Sequence, residues 1–195
     1  MKEPTTARSR YAARTVTSAR PNPVWAELVQ LVPIVSLALP IILAGKIDFA
    51  RAGTPLLVAA LLTIPVSAVV VLRHAALNPI LVGTALWLWL AALGFELGSP
   101  GLVAALSEAQ GAGLFLAVVA VGFVATLLSP QGFVGTIHPD RAWIKQTSLL
   151  LLGLAIAVTA WAWVFRHNVR LGGGLPFLVL NIVRRRLILR APGPR

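Results

Sequence analysis

Residues 147–165 read TSLLLLGLAIAVTAWAWVF, a run without one charged side chain that ends in alternating aromatics. A bilayer core is ~30 Å thick and an α-helix rises ~1.5 Å per residue, so a span needs ~20 mostly apolar residues. This run meets the requirement, and four more stretches come close to it or reach it. Residues 113–129 (GLFLAVVAVGFVATLLS) are short alone and gain length from uncharged flanks. Residues 79–97 hold only Glu96, at the end; 54–72 hold no charge. Residues 28–45 are uncharged, and Val24 to Ala44 is a full span if Glu27 sits at the interface. Lipid offers backbone groups no hydrogen-bond partner, so such runs must be helical. The ~10-residue alternating strands of a membrane barrel are absent.

The whole composition agrees. Of 195 residues, 57% are hydrophobic and 12% charged, against ~45–50% apolar and ~25% charged in soluble domains. A water-soluble enzyme, a disordered chain and a collagen-like fibre are thereby excluded. Cysteine is absent, which removes disulfides, thiolate catalysis, iron–sulfur clusters and cysteine zinc sites together. The expected fold is all-α: a polytopic transmembrane helical bundle of five spans plus a short C-terminal membrane-embedded or re-entrant segment. Pro33, Pro40 and Pro65 fall inside spans. They read as kinks whose freed carbonyls find partners on neighbouring helices, or as breaks lining a substrate path.

The net charge of +11 is gathered outside the spans. Residues 1–23 form a basic tail with Lys2, Arg8, Arg10, Arg14 and Arg20 against Glu3, expected to be disordered and cytoplasmic. No apolar run follows these charges directly, so it is not a cleavable secretory signal, although its Arg/Ser/Thr bias resembles an organellar transit peptide. Starting inside, the Lys/Arg balance is sound through Arg73, Arg141 and Lys145 and then fails. Five crossings put Arg166, Arg170, Arg184, Arg185, Arg186, Arg190 and Arg195 outside. A short broken return over 171–183 (LGGGLPFLVLNIV), a re-entrant segment at 24–44, or an external amino terminus each repairs the count. The preferred reading is a cytoplasmic carboxyl end, with 24–183 the membrane domain and 184–195 a basic tail. The triglycine 172–174 lacks the Gly-Lys-Ser/Thr of a phosphate loop and reads as a flexible break.

Few residues carry chemistry. Glu96 lies in Gly94-Phe-Glu-Leu-Gly98, a small-xxx-small pattern, and is a candidate ion or proton site at a helix contact. His74, His138 and His167 sit at loops or span ends without metal-ligand spacing, so no metal and no cofactor is expected. His138-Pro-Asp140-Arg141 reads as a turn with a helix starting near Asp140. Trp25, Trp143, Trp161 and Trp163 suit the headgroup zone, while Trp87 and Trp89 lie deeper and pack between helices. Arg184, Arg185, Arg186 and Arg190 are the candidate site for anionic lipid headgroups. Nucleic acid is not expected as a partner, because no aromatic-interleaved basic domain accompanies the cluster.

Leu31-Val-Pro33, short hydrophobic hairpins, an apolar stretch broken near 98–112, and Trp143-Ile-Lys-Gln-Thr-Ser-Leu leading to Asn168 are laid out as in one known group. Over roughly 27–182 the chain resembles the intracellular septation protein A family. That resemblance implies a small bacterial inner-membrane protein linked to envelope synthesis and division, without an established catalytic site. The family's last span is longer and uninterrupted, and the basic amino tail has no counterpart there.

The expected function is therefore a non-catalytic, multi-pass protein of the bacterial inner membrane that scaffolds or assists assembly of an envelope or membrane complex. Its partners would be anionic lipids, other membrane proteins or further copies of itself through small-residue helix faces. The alternative is a small permease or channel with Glu96 near the pathway. A lipid enzyme built on His138, Asp140 and Arg141 is the least favoured reading.

Overall fold

A computed structural model describes residues 24–44, 53–73, 75–136, 138, 140–168 and 170–191; in the first helix it describes the side chains of 25–36. The readings made for the 1–23 tail, Lys46, Arg51, His74 and Arg195 fall outside these residues. The described chain is helical throughout, as α1 (Val24–Ala44), α2 (Gly53–Leu72), α3 (Pro79–Glu96), α4 (Pro100–Leu128), α5 (Arg141–Val164), a π turn (Arg170–Gly174) and α6 (Leu175–Leu189).

Helices α2 to α5 are long and apolar enough to cross a membrane, and only 22% to 50% of each is buried in the bundle. Leu61, Ile64, Leu127, Leu150 and many like them face outward. Water would penalise so much exposed apolar surface, whereas hydrocarbon solvates it without cost. The chain is a multi-pass helical membrane protein.

Local chemistry sets the helix ends. The Asn78 side chain accepts from the Ile80 N–H at 3.1 Å, and Pro79 occupies the first turn of α3, where a missing N–H costs nothing. Asp140 accepts from Ala142 and Trp143 N–H at 2.9 and 3.1 Å and so starts α5 where the sequence placed a helix start.

Two sequence expectations change. The stretch 98–112, read as a break between apolar runs, is helical from Pro100, and α4 bends within it at Gln110 (φ 43°, ψ −123°), a left-handed backbone that breaks the helix just before Gly111. The triglycine is not a loose break either. Gly172 is buried in the π turn, and a Cβ there would lie 2.5 Å from the Phe165 carbonyl oxygen. A Cβ on Gly111 would lie 2.6 Å from the Gly172 carbonyl oxygen, so the bend of α4 and the π turn touch backbone to backbone. Helix α6 runs through the arginines to Leu189, so the basic C-terminal segment begins inside a helix.

Successive helices pack on one another, with α3 and α4 sharing the most extensive interface. Gly83 permits it, since a Cβ there would strike Val118 Cα at 2.5 Å. One core joins Ile80, Phe115, Phe133, Leu151, Ala155 and Leu180; the other joins Leu56, Ala59, Ala60 of α2 with Leu88, Ala91 and Leu106. The Trp89 Nε1–H donates to Thr63 Oγ1 at 3.1 Å, which satisfies a polar atom within an apolar contact.

Candidate functional site

Polar side chains meet at one end of the bundle. The Asn78 backbone N–H donates to Gln30 Oε1 at 2.8 Å, tying the start of α3 to α1, and Gln30 itself donates to the Ala26 carbonyl at 2.8 Å. Asn78 Nδ2 donates to Asn181 Oδ1 at 3.3 Å, tying α3 to α6. Arg184, one turn beyond Asn181, is almost completely buried at 2% exposure. Its Nε–H donates to the Val134 carbonyl at 2.9 Å, and its Nη1 lies 3.8 Å from Glu27 Oε1. Its Nη2 is buried and has no hydrogen-bond partner among the described residues.

The loop between α4 and α5 supplies that carbonyl. Phe133 is fully buried against Gly122, and Gly135, at φ +64°, leaves no room for a Cβ beside Pro79 Cδ at 2.6 Å. The loop is thus fixed on the start of α3, and the Val134 carbonyl, which no helix claims, faces Arg184. Removing a guanidinium from water is costly unless its donors find acceptors. Here one carbonyl and one carboxylate at ion-pair distance offset the cost in part.

These contacts fix the course of α6. The beginnings of α1 and α3, the loop before α5 and the second half of α6 lie together, so α6 returns the chain to the end at which α1 starts. Beside them a crevice of about 210 Å³ opens between α1 and α6, with Leu28, Leu31, Phe177 and Leu178 on its walls and Glu27, Asn181 and Arg184 along its polar edge.

The predicted lipid-binding arginines divide. Arg185, Arg186 and Arg190 are exposed, whereas Arg184 is turned inward, with its Nε–H bonded to Val134 and its Nη1 beside Glu27. The spacing carried a signal for this: Pro176, Leu180 and Arg184 recur every four residues, so Arg184 continues the buried stripe of α6. Glu96 is exposed at the end of α3. Of its flanking glycines only Gly94 meets another helix, at Leu102; nothing lies within 4 Å of a Cβ on Gly98.

The two described histidines, His138 and His167, do not converge. His138 is buried before α5, accepts from the Asp140 N–H at 3.1 Å and lies 4.7 Å from the Trp143 ring. His167 is exposed beyond the far end of the same helix. Among the described residues no group of His, Asp and Glu is arranged to hold a metal. No protein-family model, curated protein or solved structure matches the chain.

Proposed function

We propose that this protein is a non-catalytic, multi-pass component of the bacterial inner membrane that scaffolds or assists assembly of an envelope or membrane complex. The observation that carries this reading is the distribution of charge, among the described residues, between the two ends of the bundle. At the end where α1 starts and α6 finishes stand Arg73, Arg141, Lys145, Arg184, Arg185, Arg186 and Arg190 against Glu27 and Asp140. At the other end stand Arg166 and Arg170 against Glu96 and Glu108. An excess of Lys and Arg marks the cytoplasmic side. The basic end then faces the cytoplasm, and the terminal helices both open there.

On this reading α1 to α5 cross the membrane and α6 makes the return. The π turn and α6 together have five and fifteen residues. At ~1.5 Å per residue they reach about 30 Å, enough to come back across. Several polar groups inside the bundle hold helices together: Gln30 with Asn78, Asn78 with Asn181, and the Arg184 Nε–H with Val134. What remains for partners is the exposed cationic face, suited to anionic lipid and acidic protein segments, and the apolar helix faces. The envelope role follows the resemblance to the septation protein family on the residues quoted above.

Chemical crosslinking in membranes followed by isolation in mild detergent tests the proposal. Recovery of a defined complex, with other membrane proteins or with further copies, is expected, as is its weakening when Arg185, Arg186 and Arg190 are changed together to Gln. A chain that isolates alone after crosslinking refutes it.

A further inference from the structure

We infer that the crevice between α1 and α6 is a binding site for one anionic phospholipid, with the phosphodiester at the Arg184–Arg185 edge and an acyl chain along the apolar walls. The inference stands whether or not the chain scaffolds a complex, because it rests on the crevice alone.

The first argument is the shape and chemistry of the lining. Leu28, Leu31, Phe177, Leu178 and Ile182 form the walls, while the polar groups are confined to one edge. An occupant of this space must itself be apolar at one end and polar at the other. Leu28, Leu178 and Ile182 are each more than half exposed, so the walls open sideways to the hydrocarbon from which such a molecule enters. With a volume of about 210 Å³ the crevice cannot hold a helix, whose diameter with side chains is ~10–12 Å. A flexible acyl chain fits where a helix does not.

The second argument is charge. Arg184 and Arg185 face one acid, Glu27, and the polar edge keeps one positive charge. A phosphodiester carries one negative charge and supplies acceptor oxygens that suit a guanidinium fork. The third argument is independent of both. Arg184 is 98% buried and lines this crevice, yet its Nη2 has no hydrogen-bond partner among the described residues. Buried donors are almost always satisfied, and an orphan at a site of this composition points to an acceptor supplied by a ligand. A choline headgroup would set a further cation beside Arg184 and Arg185, so phosphatidylglycerol is favoured over phosphatidylcholine.

The test uses the full chain in neutral detergent, titrated with dioleoylphosphatidylglycerol or dioleoylphosphatidylcholine and read by native mass spectrometry. One retained phosphatidylglycerol is expected, preferred over phosphatidylcholine by about tenfold. Arg185→Gln removes the exposed charge and Leu178→Trp fills the crevice; both positions are exposed, and each variant should bind about tenfold more weakly. Arg186→Gln alters the same basic helix but does not line the crevice, and should bind like the parent. Equal loss in Arg186→Gln and Arg185→Gln with none in Leu178→Trp would mean diffuse surface attraction and overturn the site. Displacement by inorganic phosphate at the same concentration would overturn the acyl-chain contact. Disulfide formation between two copies of Leu178→Cys, in place of lipid retention, would assign the groove to a second chain and overturn it as well.

Discussion

The guanidinium of Arg184, in the last helix, lies 3.8 Å from the carboxylate of Glu27, in the first turn of the first described helix. The separation is that of an ion pair rather than a hydrogen bond. The bond that holds the arginine in place is its Nε–H to the Val134 carbonyl, at 2.9 Å. Three distant parts of the chain are therefore fastened through one side chain, and the cost of its burial is tolerable only while those partners remain.

Arg184→Ala is expected to lower stability by about 3 kcal/mol, since breaking a buried charge network leaves its other members unmatched. Glu27 is 26% exposed, and Glu27→Gln should cost about 1 kcal/mol. Denaturant unfolding in detergent, run as a double-mutant cycle, measures both. A coupling near zero would show that the carboxylate has no part in holding the arginine.

Membrane sidedness has a direct test, because the chain contains no cysteine. Leu97→Cys, at the far end of α3, should react with an impermeant maleimide on intact cells or spheroplasts. Arg190→Cys should react only after permeabilisation. External labelling of Arg190→Cys would show that α6 does not return the chain to the cytoplasm.

The contact between the bend of α4 and the π turn depends on two hydrogen atoms in place of methyl groups. Gly111→Ala and Gly172→Ala each drive a Cβ against backbone, to 2.6 and 2.5 Å, and should cost about 2 kcal/mol apiece, less than additively together. Gly153→Ala, where nothing lies within 4 Å, should raise stability by about 0.5–1 kcal/mol through helix propensity. Thermal unfolding of the three variants compares them.

Gln110 holds a backbone conformation that a side chain disfavours, at φ 43° and ψ −123°. Gln110→Gly should therefore stabilise the fold by about 1 kcal/mol, while Gln110→Ala should not. An equal response of the two would mean that the side chain, and not the dihedral, matters at the bend.

Asp140→Ala removes the acceptor for two amides at the start of α5 and should cost about 1 kcal/mol, with Asp140→Asn close to neutral. Hydrogen exchange at Ala142 and Trp143 would report the freed amides.

Much of this architecture was legible beforehand, and the divide follows from physical reach. Runs such as 54–72 and 147–165 determine that the chain is helical and lives in lipid, because length and lack of charge are local properties that no partner can alter. Asp140 announces a helix start for the same reason: a cap acts within one turn. The fate of the arginines was not local. Nothing adjacent to Arg184 distinguishes it from Arg185 except the helical phase it shares with Leu180, and its partners, Val134 and Glu27, come from other segments. Gly172 likewise looks like slack in the chain until Gly111 is set against it, and Gln110 gives no sign of a bend. Apolar length and capping belonged to the sequence by itself. The tertiary structure alone decided which charge is buried, where α6 ends and what the glycines touch, since those are free energies of contact between surfaces far apart along the chain.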